Sequence, residues 1–336
     1  VRRENTPIKR LELERQAPLV PCAYAEGHKD QWDGRVLSCG EMIPFKPRQP
    51  CPSCSQMQIR ANPRHPTERD RVLTEDTAIV DAATGEVVVV YVVPARHLAT
   101  RLANALAKVR FEPGGWDRDF FGPNASTTTR LSGVVVTHAT FGYQPPAPMR
   151  RRWACCRSQF NDRNAEAMGV LTEFCRLAEH VFRIQAPDVH DRTAGRVRDL
   201  IAPAWLIGGT PWTSGIINRT AALPYHRDQS NVPGSWSAML GCRREVEGGM
   251  LHLADYNVYL PVEHGSITIL DGQSVVHGVT PLHLAASRGF RYTVVTYAKT
   301  AMSKCAEDPA HELRRAQLAA TMAEEAKRDR LTAAGR

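Results

Sequence analysis

Tyr225-His226-Arg227-Asp228 puts an imidazole and a carboxylate two positions apart. On an extended strand, residues i and i+2 point to one face, so His226 and Asp228 can converge on one point. That pair alone leaves a metal site incomplete. Gln273-Ser274-Val275-Val276-His277-Gly278-Val279-Thr280-Pro281 offers a third ligand, His277, 49 positions after Asp228. Two histidines and one carboxylate on one face of an octahedron suit Fe(II) and leave three positions open for co-substrate and dioxygen. Fourteen residues beyond His277 comes Arg291, in the β-type run Phe290-Arg291-Tyr292-Thr293-Val294-Val295-Thr296-Tyr297. A buried arginine there needs an anionic partner. The far carboxylate of 2-oxoglutarate would serve, held by the guanidinium fork with the Thr293 hydroxyl beside it. His252, His264 and His283 lie in the same block and are read as ordinary core or surface residues.

A second group of reactive side chains stands near the start. Cys22, Cys39, Cys51 and Cys54 cluster there, the last two in Pro50-Cys51-Pro52-Ser53-Cys54. A C-x-x-C turn lets two thiolates face one ion. Cys22 and Cys39, with His28 in reserve, would complete a tetrahedral zinc site. No second C-x-x-C is present, so isolated thiols fit the pattern equally well. The remaining Cys155, Cys156, Cys175, Cys242 and Cys305 are expected as packing residues, reduced and without a disulfide framework.

The elements that must carry these groups follow from composition and pattern. The chain has 336 residues, 43% hydrophobic, and can bury a substantial core. Its longest apolar run, Val87 to Val93, is too short to cross a bilayer. Residues 1–16 are studded with charge and contain no apolar signal core. These features predict a soluble, cytoplasmic protein with no membrane partner. The net charge is +8, and 36 of the 43 basic residues are arginine. That excess suits an anionic partner such as nucleic acid, or reflects a coding habit that writes Arg in place of Lys.

Residues 1–65 are rich in Pro and Arg without periodicity and read as a small Cys-rich module. Thr77–Asp81 and Glu86–Tyr91 flank a turn with Gly85 and predict a β-hairpin. Pro94 to Arg110 and Asn164 to Arg183 carry apolar residues at helical spacing. Residues 112–130 read as a loop, followed by a strand from Gly133 to Thr137. From about 214 to 300 short β-type segments alternate with Gly, Pro and Asn, which predicts a sandwich or barrel. Pro309 to about Leu331 is Ala-, Glu- and Arg-rich and predicts an exposed helix. The expected organisation is therefore α+β: a Cys-rich module over 1–65, a main domain over 66–304 with supporting hairpin and helices at 75–200, and a charged helix over 305–336.

The order of the motifs resembles one family. H-x-D is followed by Gly248-Gly249-Met250-Leu251, by a Gly-x-Ile-x-Leu strand from Gly265 to Leu270, and then by His277 and Arg291. This resembles the double-stranded β-helix (jelly-roll, cupin-like) of Fe(II)/2-oxoglutarate-dependent dioxygenases. His226-Arg227-Asp228-Gln229-Ser230-Asn231 with Gly234-Ser235 looks like the HRDxxN…GS run of the TET methylcytosine dioxygenases. The His-Gly-Val-Thr-Pro string is similar to their thymine-oxidising, base J type relatives. Tyr297 and Met302 fall where TET enzymes carry a tyrosine and a methionine.

The resemblance implies that His226, Asp228 and His277 bind iron and Arg291 binds 2-oxoglutarate. It implies that Asn231 meets a base edge and Tyr297 stacks on the base face. Lys299 stands where TET enzymes have a base-contacting histidine, which leaves the choice of base open. The implied reaction is oxidation of 5-methylcytosine in double-stranded, methylated DNA to 5-hydroxymethylcytosine, by base flipping and ferryl hydrogen abstraction. Trp212 or Trp236 would help hold the flipped base, and Arg150, Arg151 and Arg152 would meet phosphates. Three alternatives stand beside this reading: thymine oxidation to 5-hydroxymethyluracil, hydroxylation of a protein or small metabolite, and a non-enzymatic DNA-binding zinc-ribbon/β-helix protein.

Overall fold

The computed structural model describes residues 8–16, 63–109, 111, 137–147, 154–223, 225–228 and 230–334. Cys22, Cys39, Cys51, Cys54, His28 and Arg150 to Arg152 lie outside these residues, and so do the loop over 112–130 and the strand start at Gly133.

Two sheets carry the fold. The larger, nine strands among the described residues, has the order β1 (Lys9–Leu13), β3 (Thr77–Asp81), β4 (Val87–Val92), β12 (Ile267–Leu270), β8 (Ser237–Arg244), β15 (Phe290–Tyr297), β7 (Ser214–Arg219), β5 (Thr137–Gln144), β6 (Cys156–Arg157). The smaller runs β13 (His277–Val279), β10 (Leu251–Leu253), β11 (Val258–Leu260), β2 (Arg71–Val72). Two short strands, β9 (Val246–Gly248) and β14 (Leu282–Leu284), pair with each other. The chain passes from β7 in the large sheet to an antiparallel bridge of His226 with His277 beside the small one. It then returns to β8, crosses to β10 and β11, returns to β12, crosses to β13 and ends on β15. This alternation is the double-stranded β-helix that the motif order resembles.

Strand period fixes what each sheet face can do. Along β15, Tyr292 and Val294 enter a core with Leu240, Ile267, Ile269 and the helices α1 (Arg96–Ala107) and α3 (Ala165–Gln185), the latter preceded by the short α2 (Gln159–Arg163). The opposite face carries Arg291, Thr293, Val295 and Tyr297 toward the inside of the barrel. There Val295 packs with Met239, Leu251, Leu253 and Val258. Helical residues such as Leu98, Leu102, Leu106, Leu171, Phe174 and Phe182 cover the outer face. Trp212 and Trp236 belong to that covered side: the Trp212 indole donates to Trp236 O (2.8 Å), and Trp236 stacks on Phe182. Both rings are buried there, so neither presents the open face that help to a flipped base would need. Both rings fill space under the helices, where an apolar sequence neighbourhood looks the same as beside a pocket.

Three further differences from the sequence reading have local causes. Residues 9–13, assigned to the N-terminal module, form β1 and pair in parallel with β3. Residues Pro187–Leu200 form a helix, α4, that the periodicity reading left unassigned; Pro at its first turn and buried Val189, Thr193 and Val197 were the available signal. Cys155 and Cys305, expected as packing residues, are joined by a disulfide with Cα atoms 5.6 Å apart. They meet because Val197, Ile201, Trp205, Val232, Ala298 and Met302 form a satellite core that draws the two segments together. The Glu312 carboxylate, near the start of the C-terminal helix α5 (Pro309–Ala334), is buried. It accepts from the Cys155 and Ala306 backbone N–H groups, both at 2.9 Å. No described helix is long and apolar enough to cross a membrane.

Candidate metal centre and co-substrate site

His226 is held by reciprocal backbone hydrogen bonds with His277, at 2.9 and 3.0 Å. Asp228 N donates to Gly272 O at 2.8 Å. These ties bring the His226–Asp228 segment against β13, so that the three side chains predicted from the sequence meet. Ligand atoms of His226, Asp228 and His277 all lie within 4.8 Å of one another. His226 Nε2 is 3.9 Å from Asp228 Oδ1, and the two imidazole centroids are 4.3 Å apart.

Two of the three donors, His277 and Asp228, are oriented by their neighbours. His277 Nδ1 is 2.9 Å from Val275 O. A carbonyl only accepts, so Nδ1 carries the proton and the Nε2 lone pair is left for a metal. Asp228 Oδ2 accepts weakly from Asn231 Nδ2 (3.3 Å) and Ser237 Oγ (3.4 Å). A Cβ on Gly272 would stand 2.2 Å from Asp228 Oδ2, so only glycine leaves room for the carboxylate. Two imidazoles and a carboxylate, partly exposed and without any lysine or arginine salt bridge to Asp228 among the described residues, fit Fe(II).

Arg291 lies deeper. Its side chain is fully buried, with Nη1 donating to Ala221 O and Nη2 to Gly249 O, both at 3.0 Å. Its Nε has no hydrogen-bond partner. Burial, with a smaller contribution from Arg243, pushes its pKa down to about 9. Arg243 is its cross-strand neighbour in the β8–β15 register. Gly249, at φ +69°, makes the close approach possible, since a Cβ there would sit 2.8 Å from Nε. A buried guanidinium whose Nε–H has no partner, and with no carboxylate partner among the described residues, fits an anionic co-substrate. Thr293 shares the inward face two positions on and is buried.

The residues expected at the base are gathered beside this centre. Asn231 and Lys299 form an antiparallel bridge, and Lys299 Nζ stands 5.7 Å from the centroid of the Tyr297 ring. The Asn231 amide is turned inward: Nδ2 donates to Ser237 Oγ (3.0 Å) as well as to Asp228. Its backbone carbonyl accepts from Gln273 Nε2 (2.8 Å) and Thr300 Oγ1 (2.7 Å). Reading the sequence alone missed Ser237, Gln273 and Gly272; the Gly234-Ser235 of the motif run lies close by in sequence, but Ser235 Oγ donates to Val232 O and takes no part in this support.

His252, read as a core histidine, is buried on the far side of β10. Tyr225 Oη lies 2.7 Å from its Nδ1 and Asn257 Oδ1 lies 3.3 Å from its Nε2. The amide oxygen only accepts, so Nε2 carries the proton. Desolvation lowers the His252 pKa to about 4. His264 Nδ1 accepts from Arg243 N (3.1 Å), and its Nε2 is 2.9 Å from Thr100 Oγ1.

Residues 147–300 match the family model Tet_JBP, the oxygenase domain of the 2OGFeDO superfamily. Over 153 residues the chain is 24% identical to the bifunctional helicase and thymine dioxygenase JBP2 of Trypanosoma brucei brucei. That match covers 45% of this chain but 14% of the relative, so the chain corresponds to a small part of it. Among solved structures, NgTET1 in complex with 5mC DNA gives a TM-score of 0.49 at 11% identity, over 71% of this chain and 83% of that one. An oxidoreductase of the 2OG-Fe(II) oxygenase family from Burkholderia pseudomallei gives 0.38 at 11% identity, over 63% and 85%.

Proposed function

We propose that this chain, a TET/JBP-like oxygenase of the Fe(II)/2-oxoglutarate class, oxidises the C5 methyl group of 5-methylcytosine in DNA. The observation that carries the chemistry is a buried Arg291 with an unused N–H, in the same barrel as the His226, Asp228 and His277 cluster. Bound Fe(II) with 2-oxoglutarate and dioxygen supplies the oxidising power, leaving succinate, carbon dioxide and a hydroxymethyl group.

His226, Asp228 and His277 would hold the metal, each presenting one donor atom. Arg291 would anchor the far carboxylate of the co-substrate, with Thr293 beside it. A methyl group inside a stacked duplex cannot reach donors set within a barrel, so the nucleotide must be turned out at a cost of about a few kcal/mol. Tyr297 offers an aromatic face to offset that cost, and Lys299 offers a donor. The Asn231 amino group is committed to Ser237 and Asp228, which leaves Oδ1 to accept from the base. Cytosine N4–H and thymine N3–H both suit an acceptor.

The HRDxxN…GS run favours methylcytosine. Thymine is the second reading, because the JBP2 relative is a thymine dioxygenase and a lysine can donate to a thymine carbonyl as readily as to cytosine O2. Purified protein with iron, 2-oxoglutarate and duplex DNA carrying either base, followed by nucleoside mass spectrometry, separates them. 5-Hydroxymethylcytosine that depends on both iron and 2-oxoglutarate is the expected result. Product from unmethylated, thymine-containing DNA alone would replace the first reading with the second. Succinate formation that ignores added DNA would remove both.

A further inference from the structure

We propose that Asp255 is a positioning residue for the metal centre, tying both ligand-bearing segments and the end of the N-terminal strand to one buried carboxylate. The inference rests on the metal centre of the reading above and is independent of which base is oxidised. Asp255 sits in the turn between β10 and β11, and its carboxylate is fully buried. Oδ1 accepts from Val276 N at 3.0 Å, the residue that precedes His277. Oδ2 accepts from Arg15 Nε (3.1 Å) and Nη2 (2.6 Å). The same oxygen lies 3.6 Å from Nη2 of Arg227, which stands between His226 and Asp228.

Further bonds tighten the knot. Arg15 Nη2 reaches Ser274 O at 2.5 Å, Gln16 N donates to Asp255 O at 2.7 Å, and Ala254 N donates to Val276 O at 2.9 Å. On the other side of the turn, Tyr256 Oη donates to Asp81 Oδ2 at 3.0 Å. None of these groups is a candidate ligand; the bonds to Ser274 and Val276 hold the segment that carries His277, and the others hold the Asp255 turn itself in place. The His277 ring takes its direction from Val275 O, so a shift of residues 275–276 turns the imidazole. Removing the carboxylate leaves the Val276 N–H without its acceptor, and takes from the partly exposed Arg15 and from Arg227 the anion they share.

The test is metal binding by the metal-free chain, read with Mn(II) by electron paramagnetic resonance and with Co(II) by visible absorption. Asp255→Asn keeps the shape and removes the charge. Arg15→Ala acts from a partly exposed side chain and spares the core. Each is expected to raise the Mn(II) Kd by roughly 10- to 100-fold and to change the Co(II) band. Arg15→Lys, with the charge but not the fork, should recover part of the loss. Lys9→Ala removes an exposed ion pair with Glu75 at the start of β1 and should leave both readouts unchanged. Should Asp255→Asn fail to fold, Arg15→Ala decides alone. Unchanged Mn(II) affinity and Co(II) spectrum in folded Arg15→Ala would overturn the proposal. A wild-type chain that binds neither ion would instead overturn the metal centre itself.

Discussion

Arg291 is the residue whose environment speaks most directly about a ligand. It is buried without a carboxylate among the described residues, and its pKa is pushed down to about 9 by desolvation. A cation with a lowered pKa is fully charged below that value and loses its proton as pH rises through it. Affinity for the dianionic co-substrate should therefore be flat up to about pH 9 and then weaken, approaching tenfold per pH unit. Isothermal titration of the Mn(II)-loaded chain with 2-oxoglutarate checks this. Arg291→Lys keeps a charge but not the fork, and should weaken the same binding by about 10- to 100-fold. His226→Ala removes a donor outright and should abolish tight Mn(II) binding. At this scale the sequence was most legible. Order and spacing singled out His226, Asp228 and His277, and the three lie within reach of one another, although residues 226–228 form an isolated bridge and not the strand that the spacing suggested. The Asn231 amide was less legible, because nothing in one dimension says that Ser237 would be its neighbour.

Turns, more than strands, decide whether the centre forms. Gly272 sits where a methyl group would meet Asp228 Oδ2. Gly272→Ala should therefore weaken Mn(II) binding while changing the melting temperature little, a separation that melting curves with and without the ion would reveal. The β10–β11 region makes a different prediction. His252 is neutral in the fold, with a pKa lowered to about 4 against an ordinary value of 6.5. The unfolded chain binds a proton there at a pH where the folded chain does not. Stability should fall as pH drops from about 6.5 to 4, by on the order of 3 kcal/mol from this group. Denaturant titrations across that range test the slope, and His252→Gln should flatten it. The strand pattern and the hairpin at Gly85 were readable because alternation and turn chemistry are local. Helix α4 escaped because polar residues such as Asp188, Arg192 and Arg196 dilute its apolar stripe. β10 begins only at Leu251, because the positive φ of Gly248 and Gly249 ends the extended run before it.

Across the whole molecule, long-range pairings dominate, and these the sequence could not announce. The Cys155–Cys305 link spans 150 positions; a chain-entropy argument assigns it about 5 kcal/mol of stabilisation. Reduction with dithiothreitol, or Cys155→Ser, should lower the melting temperature and free α5 from the body, seen as faster proteolysis after residue 305. If the +8 charge serves DNA, log Kd against log salt should rise by roughly 0.9 per phosphate contacted, and a flat plot would leave the arginines without that role. The sheet order carries one more consequence. The last strand in the sequence, β15, lies between β8 and β7, with β5 and β6 beyond β7 and β12, β4, β3 and β1 beyond β8. During synthesis the two halves of the sheet therefore emerge with unsealed edges and can join only once residue 297 has left the ribosome. A chain stopped before Phe290 would not be a smaller enzyme; it would be two sticky half-sheets with no keystone, prone to aggregate.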